Sequence, residues 1–148
     1  MKLALRAYAP SDFEALYEID QACYEPAVAY SRRELRNYLR FPGSDCIVAE
    51  TSGKPIGFIL TAHQDEWGYV ITIDVLERYR RHSVGSLLLT QAERRLAAGG
   101  VREIALETAV DNASAIAFWR KHGYRTRGLK KRYYPGGRDA YSMAKLLA

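Results

Sequence analysis

Between Trp67 and Ala98 the period of the apolar residues changes from two to nearly four, and this switch limits what the chain can fold into. Trp67 to Val75 reads as a strand, with Tyr69, Ile71, Ile73 and Val75 alternating on one face. Ser83 to Ala98 reads as a helix. Gly85, Leu88, Leu89, Ala92 and Leu96 share one side of it, and Glu93, Arg94 and Arg95 face away. Gly99-Gly100 ends that helix with residues that accept a left-handed backbone.

The rest of the chain continues the alternation. Leu3 to Ala7 predicts a strand. Pro10-Ser11-Asp12 opens a helix, with Ser11 or Asp12 as its N-cap and Phe13, Leu16, Tyr17, Ile19 and Cys23 at helical spacing. A second helix starts at Ser31, where Glu34 completes a capping box, and stops before Pro42-Gly43. Cys46 to Thr51 and Pro55 to His63 are strands joined by the turn Ser52-Gly53-Lys54. Arg102 to Ala109 is a strand and Asn112 to His122 a helix stopped by Gly123. Tyr124 to Gly128 and Ala140 to Leu147 form a closing strand pair. This order predicts one α/β (α+β) domain over residues 1–148, a mixed sheet with helices on its faces.

The 148 residues suit one core, and nearly half of them are hydrophobic. No apolar run approaches the roughly 20 residues of a membrane span, and the N-terminus lacks a secretory pattern, so a cytoplasmic protein is expected. Cys23 and Cys46 are too few for a disulfide framework, and His63, His82 and His122 are scattered, so no metal is expected. A net charge of +5 favours an anionic partner: a phosphorylated cofactor, an acidic peptide or nucleic acid. No nucleic-acid module is present, and direct nucleic-acid recognition is not expected.

The junction Val75-Leu76-Glu77-Arg78-Tyr79-Arg80-Arg81-His82-Ser83-Val84-Gly85-Ser86 carries the densest signal. Unpaired backbone N–H groups at a helix start attract anions, Gly85 admits a ligand close to the backbone, and Arg78, Arg80, Arg81 and His82 add positive charge. A phosphate-rich ligand fits. A plain turn with a solvated basic face would carry the same residues, and spacing alone does not separate the two. The chain has neither GxxxxGK[ST] nor GxGxxG.

The junction resembles the pyrophosphate motif R/Q-x-x-G-x-G/A of the GNAT acetyltransferases, with Arg80 first, Ser83 in place of the first glycine and Gly85 last. Asn112-Ala113-Ser114-Ala115-Ile116-Ala117-Phe118-Trp119-Arg120-Lys121-His122-Gly123-Tyr124 resembles the family's N-x-x-A-I-x-x-Y-x-x-x-G-F/Y helix. The resemblance implies a seven-stranded, mostly antiparallel mixed sheet with about four helices, and acetyl-CoA as cosubstrate. It implies that Ile73, Asp74 and Val75 hold the pantetheine arm through their backbone. Arg80, Arg81, His82, Ser83, Val84, Gly85 and Ser86 would then cradle the pyrophosphate, and Asn112 would touch CoA as well as cap its helix.

Leu106-Glu107-Thr108 and Arg132-Tyr133-Tyr134-Pro135-Gly136-Gly137-Arg138-Asp139-Ala140-Tyr141-Ser142-Met143 are similar to segments of RimI-type enzymes and related protein N-terminal acetyltransferases. That likeness implies a peptide or protein N-terminus as acceptor, a ribosomal protein included, with Tyr133 and Tyr134 at the peptide entrance. Strand alternation puts Ile104, Leu106 and Thr108 on one face and Glu103, Ala105 and Glu107 on the other. Glu107 is the candidate base. Trp119 stands where the relatives carry a tyrosine acid, and an indole N–H cannot replace a phenol in that role. Arg125, Arg127, Lys130, Lys131 and Arg132 form a basic approach, either a solvated face or an attraction for an acidic peptide or a neighbouring ribosomal RNA. The competing functions are acetylation of small amines or lysine side chains, a non-catalytic acyl-CoA-binding module, and a basic nucleic-acid-binding protein. A monomer or weak dimer is expected.

Overall fold

The computed structural model describes residues 1–147. Seven strands form one sheet: β1 (Leu3–Ala7), β2 (Ser44–Thr51), β3 (Lys54–Gln64), β4 (Trp67–Val75), β5 (Glu103–Ala109), β6 (Arg125–Lys130) and β7 (Ala140–Leu146). Their order is β1-β2-β3-β4-β5-β7-β6. Every neighbouring pair is antiparallel except β4 and β5. Four helices flank the sheet: α1 (Phe13–Cys23), α2 (Arg32–Arg40), α3 (Val84–Ala98) and α4 (Ala113–Lys121). Among the described residues no helix is long and apolar enough to cross a membrane.

Two apolar clusters sit on opposite faces. Leu88, Leu89, Ala92 and Leu96 of α3 and Trp119 of α4 pack on Ile47, Ile59, Ile104 and Leu106 of the sheet. Leu16 and Ile19 of α1 and Leu35 of α2 pack on Val48, Phe58 and Leu60. The expected alternation along β4 is interrupted. Leu60 pairs with Thr72 and Thr61 with Val70, so Ile71 is an extra residue, a bulge. Val70, Ile73 and Val75 therefore belong to the α3 side, while Ile71 packs on the α1–α2 side.

Other local expectations shift for traceable reasons. Ser31 caps α2 and completes the box with Glu34. At α1 neither Ser11 nor Asp12 caps with its side chain: a short 3-10 turn over Pro10–Asp12 precedes the helix. Asp12 instead accepts from Ala9 N–H and binds Arg6 through two hydrogen bonds of 2.7 and 2.8 Å. Glu93 does not face away: it accepts from Tyr124 Oη at 2.8 Å and Lys145 Nζ at 3.0 Å. Tyr124 is buried and precedes β6 rather than opening it.

The chain enters α3 through a strained turn, with Arg81 at φ 68° and Ser83 at φ 63°. A left-handed backbone costs a non-glycine residue about 1–2 kcal/mol, partly offset by the smaller unfolded-state freedom of serine. Ser83→Gly is therefore expected to stabilise the protein by up to about 1 kcal/mol in urea unfolding.

Candidate active site

β4 and β5 pair only at Trp67–Tyr69 against Glu103–Ala105, although both strands run on. Beyond that point the sheet opens into a V. One cavity of about 910 Å³ lies on the α3–α4 side and another of about 950 Å³ on the α1–α2 side. Cys23, Tyr24, Ile73, Asn112, Ala115 and Trp119 line both, so the cavities meet at the split.

The first cavity gathers groups that attract an anion. The first bond of α3 runs from Leu87 N–H to the Ser83 carbonyl at 3.0 Å, which leaves the amides of Val84, Gly85 and Ser86 without an intrahelical acceptor. A Cβ on Gly85 would lie 3.4 Å from Phe118, so the glycine keeps the helix start close to α4. Arg80, Arg81 and Lys121 add positive charge to the lining. Arg80 Nε also donates to the Val75 carbonyl at 2.9 Å and locks the turn. Ile73, Val75, Ser83, Val84, Gly85, Ser86 and Asn112 all border this cavity; His82 and Asp74 do not. His82 is exposed, and the Asp74 side chain is buried. Asn112 caps α4 by accepting from Ala115 N–H at 3.2 Å. Phosphates at a helix start, beside an extended arm along the free edge of β4, match this shape and charge.

The second cavity ends on Glu107. Its Oε1 accepts from the Tyr69 hydroxyl and, at 3.2 Å, from Tyr133 Oη. Its Oε2 accepts from Lys130 Nζ at 2.9 Å. The Glu107 side chain is only 5% exposed, so these partners replace most of its water. Burial, then the charge of Glu107, pushes the Tyr133 hydroxyl well above the ordinary phenol value and Tyr134 up to about 12. Both stay protonated at neutral pH. Tyr133 and Tyr134 pack edge to face at 4.9 Å and form one wall.

Trp119 is a core residue. Its ring packs edge-on against Phe118 at 5.1 Å and Tyr124 at 5.3 Å, and it is 5% exposed. The basic run divides. Arg127 and Lys130 pair with Glu103 and Glu107, and β6 lies exposed along its whole length. Sequence reasoning missed Tyr24, Tyr30, Tyr69 and the pairing role of Lys130. Tyr24 Oη and Tyr30 Oη donate to the carbonyls of Ile73 and Ile71 at 3.2 and 3.4 Å, on the parted edge of β4. Tyr69 had a legible signal: its parallel partner is Ala105, on the Glu107 face of β5.

The family model described as the acetyltransferase (GNAT) family matches residues 13–124. An N-alpha-acetyltransferase of Sulfurisphaera tokodaii is 33% identical over 112 residues, 66% of this chain and 66% of that protein. An N-alpha-acetyltransferase of Sulfolobus acidocaldarius is 30% identical over 122 residues, 72% of this chain and 71% of that one. Two solved structures superpose over nearly the whole chain. The ribosomal-protein-S18-alanine N-acetyltransferase of Escherichia coli has a TM-score of 0.90 and 25% identity, covering 99% of this chain and 95% of its own. Ard1 of Thermoplasma volcanium has a TM-score of 0.92 and 26% identity, covering 100% and 99%. Model, sequence relatives and fold agree: this chain is an acetyltransferase of the GNAT family.

Proposed function

We propose that this enzyme transfers the acetyl group of acetyl-CoA to the N-terminal α-amine of a peptide or protein, a ribosomal protein being one such acceptor. The observation that carries the reading is Glu107, bound by two phenols, at the end of one cavity that meets an anion-binding cavity at the split between β4 and β5. The names of the Sulfurisphaera and Escherichia coli relatives support the same acceptor class.

Acetyl-CoA supplies a thioester whose carbonyl carbon the neutral amine attacks. The start of α3 and Arg80 and Arg81 hold the phosphates, and the backbone of Ile73 and Val75 lies along the arm. A free α-amine has a pKa of about 7.7–8.0, so only a loosely held proton must be removed. Tyr69 or Tyr133 takes that proton while passing its own to Glu107 Oε1, and Lys130 holds the other carboxylate oxygen. The departing thiolate needs no positioned acid, since a thiol of pKa near 8.5 leaves readily. This agrees with Trp119 serving the core.

Mass spectrometry of a mixed peptide library incubated with acetyl-CoA tests the acceptor. Gain of acetyl on α-amines and not on internal lysines is the expected result; a small amine turning over far faster than every peptide would sink it. Glu107→Gln is expected to lower kcat by about 10²-fold or more, with the acetyl-CoA Kd unchanged. Unaltered turnover across pH would remove Glu107 from the proton path. Trp119→Tyr is expected to lower Tm by loss of packing and to leave the rate and its pH dependence as they are. A large rate gain would show that a missing acid limits the natural enzyme.

A further inference from the structure

Asp20 of α1 and Asp74 of β4 are both buried, at 0% and 1% exposure. They lie on facing elements, α1 and β4, which pack together, and after burial Asp20 is the neighbour that acts most strongly on the Asp74 carboxyl. Each has one oxygen satisfied. Asp20 Oδ2 accepts from Tyr30 N–H at 2.7 Å, and Asp74 Oδ1 accepts from Thr72 Oγ1 at 2.6 Å. The other two, Asp20 Oδ1 and Asp74 Oδ2, are fully buried and have no donor among the described residues. No cation forms an ion pair with either group among the described residues. The titratable groups around them are Tyr24 and Cys23 at the end of α1, Tyr30 beyond it, and Cys46 of β2. Arg80 reaches the neighbourhood through Cys23 and the Val75 carbonyl.

Two bare carboxylates in such a place would each carry an unsatisfied oxygen and repel one another. One proton between them removes both costs with a single O–H···O⁻ bond. We propose that Asp20 and Asp74 share one proton, and that this carboxyl–carboxylate pair is the positioning device that holds α1 and the segment after it against the parted edge of β4.

Asp20 borders the cavity on the α1–α2 side, and Asp74 lies behind the wall common to both cavities. Asp20 fixes the backbone of Tyr30, and its own carbonyl accepts from Tyr24 N–H at 3.2 Å. Thr72, bound to Asp74, also lies 3.3 Å from Tyr24 Oη. The phenols of Tyr24 and Tyr30 are thereby aimed at the carbonyls of Ile73 and Ile71. Loss of the shared proton would push α1 from β4 and free both phenols. Only this catalytic consequence rests on the assignment of the two cavities to cosubstrate and acceptor; the pair itself does not.

Burial first, then Asp20, raises the Asp74 carboxyl well above its ordinary value. Above the pKa of an unfolded aspartate the native state therefore binds the extra proton. Its stabilising effect is complete at acid pH and is lost as pH rises through the native value. Asp74→Asn supplies an N–H to Asp20 without titrating. The expected result is a Tm difference, variant minus wild type, that rises steadily from about pH 5 toward about pH 9. In wild-type protein carrying ¹³C-labelled aspartate, infrared spectra at neutral pH are expected to show a protonated carboxyl stretch that disappears in Asp74→Asn. A Tm difference that does not vary with pH, or no such stretch in the native wild type, overturns the proposal. The infrared measurement on wild type stands if the variant fails to fold. Neither readout depends on acetyl transfer, so failure of the functional reading would leave both intact.

Discussion

β4 and β5 run side by side for three residue pairs and then separate, and the polar edges exposed by that separation shape everything around them. Backbone donors and acceptors cannot be left bare in a folded interior. β5 keeps β7 on its far edge along its full length, from Glu103–Leu146 to Ala109–Ala140, and its near edge opens toward the split. β4 has β3 on one side and nothing on the other. Its carbonyls are met by side chains instead: Tyr30 at Ile71, Tyr24 at Ile73, and Arg80 with Cys23 at Val75. These partners come from α1, the segment after it and the turn before α3, so both layers of helices are tied to one broken strand pair.

The bulge at Ile71 lies within this parted edge. By shifting the phase of β4, it turns Thr72 and Asp74 toward α1 and Ile73 and Val75 toward α3. Without it, the polar residues that face Asp20 and Tyr24 would enter the core under α3. The same residues thus close the α1–α2 side and leave an apolar, extended wall on the other, beside Gly85 and Trp119.

What the sequence made legible follows from the range of the interactions involved. The element order, the capping box of α2, the start of α3 and the Glu107 face of β5 are set by residues within a few positions of one another, and all of them appear in the structure. The failures are long-range. A bulge leaves no mark in an alternating run. Glu93 turns inward because Tyr124 and Lys145 wait for it on other elements. Asp12 holds the N-cap position of α1, but its side chain turns back to Ala9 N–H and to Arg6, which β1 brings close. Tyr24 and Tyr30 carried no signal in the sequence, since their acceptors lie more than forty residues away along the chain.

Charge is sorted as well as shape. The net charge of +5 favours a polyanion, and Arg80, Arg81 and Lys121 gather on the side where phosphates would sit. An incoming ammonium group should be repelled by the same field. Around the other cavity carboxylates hold basic partners: Glu107 with Lys130, and Glu25 with Arg138. Such pairs are locally balanced, so an amine meets little net repulsion there. The phenols of Tyr69 and Tyr133 stand over one oxygen of Glu107, while Lys130 holds the other. An α-amine, already close to losing its proton near neutral pH, asks little more of such a site. A lysine amine, with a pKa about 10.4, holds its proton more firmly by over two pH units and would ask for more.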